Sequence, residues 1–131
     1  MTAPTRPTLP PDLDDPATDP FAVADLAAAQ LRDRTGVERH DVALVLGSGW
    51  ASAADGLGER VADIRAADLA GFSTPSLAGH LGTIRSVGLG AGSHALVLAA
   101  RTHLYEYRGV RRVVHGVRTA AAAGARVVVL T

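Results

Sequence analysis

The sequence has no cysteine, which excludes disulfide bonds and thiolate chemistry. It has no excess of either charge, because 13 basic residues balance 13 acidic ones, and no basic run is longer than Arg111-Arg112. The basic stripe that nucleic-acid binding requires is therefore missing. A secretory signal pattern is missing too, as is any apolar run near the roughly 20 residues that cross a bilayer. We therefore expect a cytoplasmic protein that binds neither nucleic acid nor membrane.

Aromatic residues are scarce, at 4% of the 131 residues, so the core must be built mainly from Ala, Val and Leu. Proline is scarce beyond the first 20 residues, which hold six of the seven prolines together with four aspartates. Such a mixture cannot bury enough apolar surface to offset the entropy of chain ordering. Residues 1–19 are therefore predicted to form a disordered Pro/Asp-rich tail, and the rest a single domain.

The apolar pattern of the remaining chain predicts an α/β fold. Asp19-Pro20 is a typical helix start and Gly36 a typical helix stop. Apolar runs at 42–46 and 127–130 predict two parallel strands, the second with an open edge. The predicted elements are a helix over 21–35, a strand over 42–46, a short helix over 50–57, a strand over 60–64, a loop over 65–82, hairpin strands over 83–89 and 94–100, a helix over 110–123 and a strand over 127–130.

A glycine-flanked serine follows the first apolar strand, in Gly47-Ser48-Gly49. Small neighbours let the backbone approach an anion closely, while the Ser48 hydroxyl and the following amides donate hydrogen bonds to it. The alternative is a plain strand-to-helix turn with a capping serine. The run does not match a dinucleotide-binding fingerprint, because Ser52 stands where the third glycine is expected.

A second polar cluster, Arg101-Thr102-His103-Leu104-Tyr105-Glu106, follows the second hairpin strand. Arg101 and His103 leave an extended chain on the same face, so that one ligand can touch both side chains. The planar guanidinium matches phosphate oxygens, and the imidazole can donate a further hydrogen bond to the same group. Each residue alone could be a surface or packing residue, but the cluster favours an anion site at the strand end.

A third candidate is His80, which lies between Gly79 and Leu81-Gly82 in the long loop. Its side chain could cover a bound ligand, or it could be an ordinary surface histidine. The other three histidines are assigned to structure, with His115 on the polar face of its helix: His40, His94 and His115. No set of His, Asp and Glu residues has metal-ligand spacing, so we expect no metal.

Three motifs together resemble the phosphate site of the trimeric purine nucleoside phosphorylases: Gly47-Ser48-Gly49, Ala78-Gly79-His80 and Arg101-x-His103-x-Tyr105-Glu106. The resemblance runs from about residue 21 to residue 131 and implies that 20–131 is the N-terminal part of a nucleoside phosphorylase domain, with a three-layer mixed sheet. It implies that Ser48, His80, Arg101 and His103 bind phosphate, that His103 is catalytic and that Tyr105 reaches the ribose.

The implied reaction is phosphorolysis of purine (deoxy)ribonucleosides to free base and (deoxy)ribose 1-phosphate, a glycosyltransferase step of purine salvage. Inorganic phosphate would be the co-substrate, with no other cofactor, and the family resemblance implies a homotrimer. In the family, the purine-binding residues come after the position of Thr131, so this chain alone is expected to bind phosphate without completing the reaction.

Two other functions stay open at this stage. Methylthioadenosine phosphorylase shares the fold, and the residues that choose between the substrates lie beyond Thr131 in the family. A non-catalytic phosphate-binding or subunit-interaction fragment is the other alternative. The sequence also departs from the family's usual pattern, without losing a hydrogen-bond donor, at Ala78, Ala100 and Tyr107.

Overall fold

The computed structural model describes residues 12–47, 49–72, 82–99 and 109–131. The first helix, α1 (Pro20–Thr35), begins and ends where its sequence signals predict. The Asp19 side chain accepts a hydrogen bond from the Phe21 amide at 2.9 Å, and Pro20 occupies the first turn. Gly36 ends the helix in the left-handed conformation, with φ at 69°.

A mixed five-stranded sheet forms the centre of the fold, which confirms the predicted α/β class. Its strand order is β2-β3-β4-β1-β5. Strands β2, β3 and β4 are antiparallel neighbours, whereas β1 is parallel to both β4 and β5. The strands are β1 (Val42–Val45), β2 (Glu59–Arg65), β3 (Thr83–Gly90), β4 (Ser93–Leu98) and β5 (Val127–Leu130).

The two faces of the sheet are covered differently. On one face, Leu31 of α1 joins a cluster with Leu96 and Leu98 of β4. On the other face, Ala54 of the short 3₁₀-helix Ala51–Gly56 packs in a second cluster with Val87 and Val97. The buried members of both clusters are aliphatic, as the composition predicts, and Phe72 packs against the first cluster.

The helical pattern after residue 109 is interrupted. Instead of one helix there are two, α2 (Val110–Val113) and α3 (His115–Ala122). The prediction that His115 lies on a polar, solvent-facing side was wrong, because the residue is only 1% exposed. Its ring lies 4.7 Å from the Phe72 ring, and Nε2 lies 2.7 Å from the Ala70 carbonyl oxygen. The loop before β3 therefore packs on α3 and buries this histidine.

The end of the predicted tail differs from expectation in residues 12–19. These residues form hydrogen-bonded turns, and Leu13 is 1% exposed. Arginines from α2 bind this segment, which gives it the contacts that its composition alone does not predict. The tail prediction for 1–11 lies outside the described residues.

Strand β5 lies at one edge of the sheet and is poorly covered. Val127 is 56% exposed, Val129 41% and Leu130 68%. Its only partner among the described strands is β1, as expected for an open edge. Within the described ranges, none of the helices combines the length and the apolar character needed to cross a bilayer.

Candidate functional site

The carboxyl ends of three parallel strands meet at one edge of the sheet. In the register of the sheet, Val45 of β1 lies beside Leu98 of β4 and beside Leu130 of β5. Because ligand sites of α/β sheets lie outside the carboxyl ends of the strands, this edge is where polar residues can act together. We call it the carboxyl edge.

Backbone hydrogen bonds continue past the strand ends and tie the three chain segments together. The Leu46 amide donates to the Leu98 carbonyl oxygen at 3.1 Å, which holds the end of β1 against β4. The Gly47 amide donates to Thr131 Oγ1 at 2.8 Å, and this hydroxyl donates to the Val45 carbonyl oxygen at 3.2 Å. The start of the Gly47-Ser48-Gly49 turn is therefore fixed to the end of β5.

Thr131 is a contributor that the sequence reasoning missed. A hydroxyl side chain directly after an apolar strand was the available signal, because such a residue stands at the carboxyl edge whenever the strand is parallel to its neighbours. Its hydroxyl accepts from one amide and donates to one carbonyl, so it orients the turn after β1.

The turn itself is tight. The Trp50 amide donates to the Gly47 carbonyl oxygen at 3.2 Å, which closes four residues, and Gly49 has φ at 84°. A Cβ atom added to Gly49 would meet nothing within 4 Å. Conformation rather than space therefore explains the glycine, as in turns that need positive φ at the third position.

A fourth chain segment reaches the same edge from β3. The Ala99 amide donates to the Thr83 carbonyl oxygen at 3.2 Å, and Ile84 pairs with Leu98. Thr83 follows the loop that contains His80, and Ala99 precedes the segment that contains Arg101. The structure therefore places the flanks of the three predicted motifs side by side.

The predicted site residues themselves lie outside the described residues. These are Ser48, His80, Arg101, His103 and Tyr105. Their assignment to phosphate, catalysis and ribose thus stays a prediction. The described flanking residues support only the convergence of their chain segments at the carboxyl edge.

A buried histidine and a buried serine form a different polar pair, which links the segment just before β1 to β3. His40 Nε2 lies 2.8 Å from Ser86 Oγ, and both residues are 1% exposed. Burial, followed by the nearby His94 ring, lowers the pKa of His40 to about 4. Because no substrate can reach a pair this buried, we assign it to structure, as the sequence predicts for His40.

A surface cleft of about 370 Å³ lies beside β2 and β3, with Arg60 and Arg85 in its lining. Arg85 donates to Asp63 and to Asp55, both at 2.7 Å, and these hydrogen bonds raise its pKa. The guanidinium is therefore already paired with carboxylates, which makes this cleft a poorer anion site than the carboxyl edge. Among the residues that the structure describes, no group of three or more His, Asp or Glu side chains could hold a metal ion.

Comparison with known proteins gives no matching family model, but it does give close relatives. The chain is 58% identical to a purine nucleoside phosphorylase from Cellulomonas sp over 134 residues, which is 99% of this chain and 47% of the relative. It is 54% identical to a purine nucleoside phosphorylase from Mycobacterium leprae over 86% of this chain and 42% of the relative.

The chain resembles the purine nucleoside phosphorylases. It spans less than half the length of these relatives, which fits a match to part of a nucleoside phosphorylase domain. The nucleoside phosphorylase fold is seen independently in isoform 2 of the Schistosoma mansoni enzyme, crystallised with cytosine and ribose-1-phosphate. That chain superposes with a TM-score of 0.72 at 24% identity, over 84% of this chain and 38% of its own length.

Proposed function

We propose that this chain provides the phosphate-binding part of a purine nucleoside phosphorylase. The reaction is phosphorolysis of a purine (deoxy)ribonucleoside to free base and (deoxy)ribose 1-phosphate, as a transferase of purine salvage. Inorganic phosphate is the co-substrate, and no other cofactor or metal takes part. The active form is a cytoplasmic homotrimer.

One observation carries the proposal. The segments that hold the glycine-flanked serine and the Arg101 motif begin at neighbouring positions of the carboxyl edge, because the Leu46 amide binds the Leu98 carbonyl oxygen. The loop that holds His80 rejoins the sheet beside them, through the contact between Ala99 and Thr83. Relatives that are 54–58% identical and carry the name purine nucleoside phosphorylase support the same function.

The roles follow from the chemistry of the side chains. Ser48, His80, Arg101 and His103 hold phosphate by hydrogen bonds, and the guanidinium of Arg101 supplies the positive charge. Tyr105 contacts the ribose. In the transition state, a cationic sugar forms between the phosphate nucleophile and the departing base, so donors that hold the phosphate in line raise the rate. His103 is the proposed catalytic residue, because it contacts the attacking phosphate.

The first experiment measures phosphate-dependent release of hypoxanthine from inosine and of guanine from guanosine by the purified chain, alongside phosphate binding by ³¹P NMR. Base release that requires phosphate would support the full activity. Release that does not depend on phosphate, or a folded chain that neither binds phosphate nor releases base, would contradict the proposal.

A second candidate is a phosphate-binding fragment without catalysis. The observation that favours it is the coverage of 42–47% of the curated relatives, since residues of a relative outside the matched part can be needed for turnover. This candidate predicts phosphate binding without base release from either nucleoside, and base release that requires phosphate would contradict it.

A further inference from the structure

An acidic segment at the start of the described chain is bound to α2 by an arginine with two carboxylate partners. Arg112 Nε and Nη2 donate to the two oxygens of Asp14 at 3.0 and 3.1 Å. Nη2 also lies 3.4 Å from Asp12 Oδ1. The Arg112 side chain is 18% exposed, and the hydrogen bond to Asp14 raises its pKa. This two-pronged contact is the strong form of an arginine–carboxylate pair.

Two further contacts fasten the same segment, residues 12–18, which we call the acidic strap. Arg111 Nη1 donates to the Thr18 carbonyl oxygen at 2.8 Å and lies 3.3 Å from the Asp15 carbonyl oxygen. Leu13, between the two aspartates, is 1% exposed and so gives the strap an apolar anchor. The strap is therefore attached by both charge and burial.

The helix that receives the strap has little to hold it in place by itself. α2 has four residues, none of them buried, and the residue before it, Gly109, has no side chain that could cap the helix. A helix of one turn is unstable without outside contacts. The hydrogen bonds of Arg111 and Arg112 to the strap supply such contacts.

We propose that Arg112, Asp14 and Leu13 are positioning residues for phosphate binding. α2 begins at Val110, directly after the chain segment that contains Arg101, His103 and Tyr105. By fixing α2, the strap fixes the point at which that segment must end, and so limits the arrangements of its side chains around phosphate. This inference rests on the proposed function and adds to it a device that lies outside the predicted motifs.

The test compares Arg112→Gln with Arg60→Gln, which removes a paired but more exposed guanidinium from β2, an edge strand of the sheet. Phosphate affinity is measured by ³¹P NMR, stability by thermal unfolding, and the protection of the Val113 and Val114 amides by hydrogen exchange. We expect Arg112→Gln to weaken phosphate binding about fivefold and to lower amide protection in α2. Arg112→Lys should restore part of the affinity, and Arg60→Gln should change neither quantity.

Asp14→Asn is the milder second variant if Arg112→Gln does not fold. Unchanged phosphate affinity in a strap variant, or an equal loss in Arg60→Gln, would overturn the positioning role. If the unmodified chain binds no phosphate, the proposed function fails for this chain. Hydrogen exchange then decides about the strap alone, because unchanged protection of α2 in Arg112→Gln would show that the strap does not hold it.

Discussion

At the residue scale, the histidines show how packing changes chemistry. His40 and His115 are each 1% exposed, although nothing in their local sequence distinguishes them from surface histidines. Burial is the largest cause of the lowered pKa of both residues. A neutral imidazole is therefore part of the folded state, and protonation opposes folding.

We predict that stability falls when the pH is lowered from 7.5 to 5. The pKa of His40 is lowered from 6.5 to about 4, so the unfolded chain binds the proton first and folding loses stability through this window. The loss from His40 is roughly 2 kcal/mol at pH 5. Urea denaturation at a series of pH values measures it.

The control for this effect is His40→Gln, which keeps a polar side chain at position 40 and has no group that titrates in this pH range. In this variant the drop between pH 7.5 and 5 should shrink by about 2 kcal/mol, leaving the contribution of His115, whose lowered pKa acts in the same direction. An unchanged pH dependence in His40→Gln would show that His40 does not carry it.

The candidate site shows, also at the residue scale, which features the local sequence can predict and which it cannot. The motifs could be found because glycine, arginine and histidine have chemistry that a strand end can use. Thr131 was missed, since its role depends on a hydrogen bond to Gly47, a residue 84 positions away in the chain. The local sequence shows a hydroxyl directly after an apolar run, but it does not show the distant segment to which that hydroxyl bonds.

At the element scale, the sequence predicted most strands and helices to within about two residues. The run at 127–130 is the observed β5, and Asp19-Pro20 marks the start of α1. The strand order could not be predicted, because β1 pairs with β4 and β5 only through contacts distant in sequence. The break at Val114 was missed as well, because the apolar spacing continues across it.

We predict that the leucines at the ends of β4 and β5 contribute very differently to the stability of the fold. Leu98 at the end of β4 is 1% exposed, whereas Leu130 at the end of β5 is 68% exposed. Leu98→Ala should therefore cost about 3 kcal/mol of unfolding free energy. Leu130→Ala, the control, should cost less than about 0.5 kcal/mol. Equal losses in urea denaturation would mean that β5 is covered in solution.

At the scale of the whole molecule, the two edges of the sheet are unlike. β2 carries charged residues along its length, which protect an edge against pairing with other chains. β5 consists of Val127-Val128-Val129-Leu130 and has no charge. An apolar edge strand of this kind favours association through strand pairing.

We therefore predict concentration-dependent self-association through β5. Val129→Lys should shift the chain toward monomer in sedimentation velocity, because the added charge opposes strand pairing. Val61→Lys on β2 is the matched control, since Val61 and Val129 are both 41% exposed. A monomer at all concentrations, or the same shift in both variants, would contradict self-association through β5.

The convergence of chain segments at the carboxyl edge is the central claim, and phosphate binding tests it most directly. Phosphate is titrated into the unmodified chain, Arg101→Ala and Arg126→Ala, with binding followed by ³¹P NMR. Arg126 precedes β5 and so lies at the opposite end of the strands. The account predicts at least a tenfold loss of affinity in Arg101→Ala and an unchanged affinity in Arg126→Ala. No binding by the folded chain, or equal affinity in all three, would contradict it.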